Sequence, residues 1–174
     1  AEAAQHRPQP PTRGVKQRVD AGAIGDIRVI DSAYPYRMRN PDDITQFKGR
    51  AGGGLMDVGC YCLSLMRLVT GEEPSKLAAF GTFNEYGVDA QVAAVLQFPS
   101  GVVGHFDFGM FTSGRKFYEI RGSEGTIRVD EPFVIPRERP STIHLWRVTA
   151  SVAVRVTHPP ALRLMLKSFP VSFT

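Results

Sequence analysis

Three consecutive glycines, Gly52, Gly53 and Gly54, run into an apolar segment that ends at Gly71. The segment is too long for one strand and reads as a helix. The glycines let the backbone turn tightly and let another group approach closely. Gly71, with Pro74 soon after it, is a C-terminal stop. Asp57 stands near the helix start, where a carboxylate suits the positive end of the dipole. Tyr61 lies four residues on, above Asp57 on the same face, and Ser64 continues the stripe. One side of a mostly apolar helix therefore carries a carboxylate, a phenol and a hydroxyl. Packing alone accounts for a capping aspartate and an edge tyrosine on a core helix. The functional reading is that the Asp57/Tyr61 face looks into a pocket.

At 174 residues the chain has room for a single domain with a proper core. No apolar run has the length of a membrane span, and the start has no signal-peptide layout. Its first residue is not Met, so a fragment or a processed chain is one expectation. Cys60 and Cys62 are the two cysteines. At i and i+2 on a helix they point to different sides and do not pair. Two buried thiols in a reducing, cytoplasmic setting are expected. The four histidines are scattered and form no metal motif. The net charge of +4 comes largely from the C-terminal end, where Arg139, Arg147, Arg155, Arg163 and Lys167 follow the last acidic residue, Glu138. These cations are spread out, with no stacking platform or reading helix, which argues against a nucleic-acid partner.

Along the chain, residues 12–21 read as a short helix with Thr12 as N-cap and Gly22 as stop. Residues 27–36 read as a strand with Ile27, Val29, Asp31 and Ala33 on one face and Arg28, Ile30, Ser32 and Tyr34 on the other. A polar stretch with the turn Asn40-Pro41-Asp42-Asp43 delivers the chain to the glycines. Lys48 and Arg50 precede the helix start, a placement that suits an anion or a polar, sugar-like ligand or a solvated loop. Residues 77–84, 91–98, 102–111, 116–121 and 126–129 read as strands. Pro99-Ser100-Gly101 and Gly122-Ser123-Glu124-Gly125 are the hairpin turns. The predicted fold class is α+β, an open and mainly antiparallel sheet with helices packed on one face. His105 and Asp107 fall on the other face, as surface or subunit interface.

The stretch from Gly52 to Tyr61 resembles the GGGxxxDxxxH/Y motif of the Gfo/Idh/MocA oxidoreductases, in the version that ends in Tyr. Further patches are similar to the same family in the same order: Glu2-Ala3-x-x-His6-Arg7-x-x-Pro10, Gly22-Ala23-Ile24-Gly25-Asp26-Ile27-Arg28, Gly87-Val88-Asp89 with Leu96-Gln97-Phe98-x-Ser100-Gly101, and Ile120-x-Gly122-x-x-Gly125-Thr126-Ile127. The resemblance covers residues 2–135 and assigns 1–140 to the family's C-terminal substrate and assembly domain. From Ser141 to Thr174 it fails, and real divergence and a frameshifted end both fit a stretch without acids.

The resemblance implies hydride transfer between NAD or NADP and a sugar, polyol or related diol. It implies Tyr61 as the general acid/base, its pKa brought down from about 10 toward neutrality by a lysine of the nucleotide-binding half. Asp57 would hydrogen-bond substrate hydroxyls or hold the site geometry, with Arg50 and Ser64 as substrate contacts. Arg7 would enter the cleft toward cofactor or substrate, although a lone Arg is more simply a solvated charge. The family's GxGxxG turn and Glu-Lys-Pro motif do not occur in this sequence, and Gly52-Gly53-Gly54 follows no βαβ strand. The expectation is the substrate half of an oxidoreductase without its Rossmann half, inactive by itself and paired as a homodimer through the sheet. The alternative is a non-catalytic dimerisation or ligand-sensing module.

Overall fold

Alternation of apolar and polar residues dictates most of this architecture. The computed structural model describes residues 9–133, 141–147 and 150–156. Helix α1 (Pro10–Asp20) begins two residues before the expected Thr12 cap, with Gln9 as the flanking residue and Thr12 buried inside the first turn. Pro10 and Pro11 explain the early start: proline lacks the N–H that a first turn leaves unpaired, and its φ is already helical. Gly22 then turns the chain at φ +72°.

Strand β1 (Ile27–Pro35) is followed by two short 3₁₀ turns, by a π turn (Leu55–Gly59) and by helix α2 (Cys60–Thr70). Gly71 closes α2 in the left-handed conformation, as expected of a C′ glycine. Then come β2 (Lys76–Phe83), β3 (Asp89–Gln97), β4 (Val103–Gly109), β5 (Phe117–Gly122), β6 (Gly125–Asp130), β7 (Ser141–Arg147) and β8 (Ala150–Val156).

All eight strands form one sheet in the order β2-β3-β4-β1-β5-β6-β7-β8. Every neighbouring pair is antiparallel except β1 and β4, which run parallel. That exception follows from connectivity: the chain leaves β1, builds α2 on one face, makes the β2–β3–β4 meander and returns beside β1. Residues 141–147 and 150–156 are part of the sheet itself. These two strands lengthen the sheet beyond β6.

One face is the core. Ile30, Ala94, Leu96, Phe106, Phe108, Ile120, Ile127 and Ile143 are buried there against Val15 of α1 and Cys62, Leu65, Met66 and Val69 of α2. The helix packs tightly at Gly104, where a Cβ would lie 2.8 Å from the Met66 sulfur. The opposite face is open. Register places Val95 beside His105, His105 beside Asp31, Asp31 beside Glu119 and Glu119 beside Arg128. His105 Nδ1 lies 3.4 Å from Asp31 Oδ1, and an ion pair joins Arg128 to Glu119 at 3.5 Å. Apolar side chains stand among the charges: Phe80 is 85% exposed and Val95 51%.

Candidate active site

The glycine triplet is a packing device. Gly53 has φ +131°, a region closed to side chains, and a Cβ on it would overlap Oδ1 of Asp89. A Cβ at Gly54 would lie 2.6 Å from the Phe108 ring, and one at Gly59 2.5 Å from the same ring. The start of the central helix is thus pressed onto β4, and nothing larger than hydrogen fits at the contact. Asp89 supplies the carboxylate that the helix start attracts: its Oδ2 accepts from Leu55 N at 2.6 Å. The Leu55 amide at the helix start is thereby taken by the protein's own side chain.

The first turn is wound as a π turn, which shifts the rotational phase along the helix. Asp57 and Tyr61 still share one cleft of about 280 Å³, walled by Thr45, Arg50, Gly53, Met56 and Cys60 among others. Ser64, expected to extend the stripe, is buried in the interior and does not line this cleft. Arg50 is exposed on the cleft wall and Lys48 is exposed outside its lining. Arg7 lies outside the described residues. Cys60, expected to be buried like Cys62, is half-buried on the cleft wall, and both thiols are free. Its Sγ donates to Met56 O at 3.1 Å. Burial and then the Asp57 charge push the Cys60 thiol up, so it is not an activated nucleophile.

Three groups with no sequence motif surround Asp57. Tyr36, just past β1, donates its hydroxyl to Asp57 Oδ2 at 2.6 Å. Lys116, just before β5, holds its ammonium 4.7 Å from the centre of the Tyr34 ring. Tyr34 in turn lies 5.7 Å from the Tyr61 ring, and Phe133 packs against both. Burial pushes the Asp57 carboxyl above its ordinary range; the Tyr36 hydrogen bond draws it back, Asp43 raises it and Lys116 lowers it. Burial also lowers the Lys116 ammonium, with Glu131 and Asp57 opposing. Half-buried groups with opposed influences at a cleft are a functional-site signature. Among the described residues no group of three or more metal-ligating side chains occurs, and no helix is long and apolar enough to cross a membrane.

Residues 12–128 match the profile of the GFO/IDH/MocA C-terminal domain. The chain belongs to the Gfo/Idh/MocA family. Within this family it is 31% identical over 130 residues to the bovine (Bos taurus) trans-1,2-dihydrobenzene-1,2-diol dehydrogenase, covering 74% of this chain and 38% of the relative. It is 35% identical over 124 residues to the dTDP-3,4-didehydro-2,6-dideoxy-alpha-D-glucose 3-reductase of Streptomyces violaceoruber, covering 70% and 36%. The fold is shared with a 3-ketoreductase from Actinomadura kijaniata solved with NADP and TDP-benzene. That match has a TM-score of 0.76 and 24% identity, over 91% of this chain and 49% of that one. The aldose-aldose oxidoreductase of Caulobacter crescentus, complexed with glycerol, aligns with a TM-score of 0.77 and 23% identity, over 88% and 47%. The Gfo/Idh/MocA chain described here thus spans less than half the length of these relatives.

Proposed function

We propose that this chain is the substrate-binding and catalytic half of an NAD(P)-dependent oxidoreductase acting on sugars, polyols or related diols. The observation that carries this reading is the convergence of Asp57 and Tyr61 on one cleft with Arg50 on its wall. The named activities of the relatives, dehydrogenation of a diol and reduction of a keto sugar, agree with it.

The residues present fit the reacting end of such a site and not the dinucleotide's phosphates. The helix start that would attract a pyrophosphate is pressed against Asp89 and Phe108, so the phosphates belong to another part of the complete protein. NAD(P), when bound there, supplies the hydride acceptor for oxidation or the donor for reduction. This chain's part is to bind and to move a proton. The Asp57 carboxylate accepts hydrogen bonds from substrate hydroxyls and fixes which carbinol carbon is presented. As the C–H bond breaks and the C=O bond forms, the hydroxyl proton would pass to Tyr61 in its phenolate form, favoured by a lysine of the nucleotide-binding half; in the reverse direction the Tyr61 phenol would return it. Arg50 bonds the far end of the substrate. Two copies paired through the open sheet faces would leave the cleft free, since it lies on the helical side.

The test is Tyr61→Phe in the protein joined to its nucleotide-binding half, assayed with NAD and NADP over sugars and diols. The kcat should fall by on the order of 10²-fold or more, with stability little changed. Near-normal kcat would return Tyr61 to a packing role.

A further inference from the structure

Tyr36 carries no motif and lies outside the cleft lining, yet among the described residues it is the side chain that donates a hydrogen bond to Asp57 Oδ2. Its backbone is held on both sides: its N–H donates to Gly109 O at 2.8 Å, and its carbonyl accepts from Thr112 N at 3.2 Å. Two residues on, Met38 N donates to Met110 O at 2.6 Å. The phenol therefore projects from a clamp at the end of the β1/β4 pair, inside the sheet rather than at its edge. On the other side, Asp57 N is bonded to Gly53 O at 3.0 Å. Both partners are fixed before any ligand arrives.

We propose that Tyr36 is the positioning residue of this site, holding Asp57 ionised and in one orientation so that its second carboxylate oxygen is left to the substrate. The proposal rests on the reading of Asp57 as a hydroxyl acceptor. The 2.6 Å separation is in the range of a charge-assisted O–H···O⁻ bond. Oδ1 makes no hydrogen bond among the described residues, so one oxygen is committed and the other is available. Burial, and then Asp57 itself, push the Tyr36 phenol far up, with Thr45 opposing, so it stays protonated and donates to Asp57. The other groups that face Asp57 do not replace it. Asp43 repels the charge and Lys116 attracts it. Tyr34 and Cys60 feel the Asp57 charge as their own protons are held more tightly, and Tyr61 belongs to the reaction. A site that needs a half-buried carboxylate charged at neutral pH has in Tyr36 the group that hydrogen-bonds the charged form.

The experiment is a carbon-13 NMR titration of the Asp57 carboxyl in this chain, in the native protein and in Tyr36→Phe. Loss of the donor should raise the proton affinity of Asp57 about tenfold, moving its midpoint upward. A second form, with 3-fluorotyrosine at position 36, has a more acidic phenol and should move the midpoint downward. It decides the question by itself if Tyr36→Phe does not fold. Midpoints unchanged in the folded forms overturn the proposal. In the protein joined to its nucleotide-binding half, Tyr36→Phe should raise KM severalfold and leave kcat nearly unchanged; unaltered KM also overturns it. A shifted Asp57 midpoint together with normal kcat in Tyr61→Phe would sink the catalytic reading while leaving the Tyr36–Asp57 coupling standing.

Discussion

Asp89, the first residue of β3, reaches across the glycine turn and accepts a hydrogen bond from Leu55 N at 2.6 Å. The residues are 34 positions apart in sequence, yet the pair acts as a helix cap. It ties the start of the central helix to the sheet at the point where the cleft opens. Asp89→Ala should therefore cost about 1–2 kcal/mol of stability, as loss of a capping side chain does. Asp89→Asn, which keeps an acceptor, should cost less. Urea unfolding of both variants checks this, and equal stability of Asp89→Ala and native protein would refute the cap.

Gly59 faces the Phe108 ring with no room for a methyl. Gly59→Ala should destabilise by about 1–3 kcal/mol through overpacking. Adding Phe108→Leu should return part of that loss. A double-mutant cycle with no coupling between the two positions would place the cost elsewhere.

Asp57 binds its proton more tightly in the folded chain than in the unfolded one, burial being the main cause. Such a group favours the folded state most below its unfolded value of about 4. That contribution is lost as pH rises from there through the folded value. Asp57→Asn carries no charge to bury and still offers Tyr36 an acceptor. Its melting temperature relative to the native protein should therefore climb as pH is raised from about 4 toward neutrality. Calorimetry across that range measures it; a pH-independent difference would contradict the assignment. The substitution should also weaken substrate binding, the exchange of stability for function expected at a site.

The open sheet face sets Phe80 and Val95 among polar and charged side chains. Mixed faces of this kind mark subunit contacts. Light scattering of the purified chain should give a dimer, and Val95→Lys should give a monomer by placing an unpaired charge at the joint. A monomeric native chain would exclude sheet-to-sheet pairing as a property of this domain.

The alternation of Ala94 and Leu96 against Val95, and of Phe106 and Phe108 against His105 and Asp107, was enough to assign faces. A strand's side chains alternate whatever its partners are. Gly71 and Pro99-Ser100-Gly101 marked their turns because few residues tolerate such backbone angles. Asp57 and Tyr61 were legible because four residues on a helix keep side chains together even across a widened turn. Ser64 was not, since it lies three residues past Tyr61 in regular α2, and only the packing of α2 on the core decides that this side of the helix is buried. The strands from Ser141 to Val156 were also illegible, because an added strand is recruited by the edge of β6 rather than by a motif of its own.

Local chain chemistry thus determined the elements, their buried faces and the Asp57/Tyr61 pair. Tertiary structure alone decided that β1 runs parallel beside β4 and that Asp89 caps a helix begun 34 residues earlier. It alone brought Tyr36, just past β1, and Lys116, just before the antiparallel β5, to the same carboxylate. Helix and strand patterns are properties of neighbours along the chain. A hydrogen bond between residues brought together by a crossover depends on the closure of the whole sheet, and no local sequence signal encodes it.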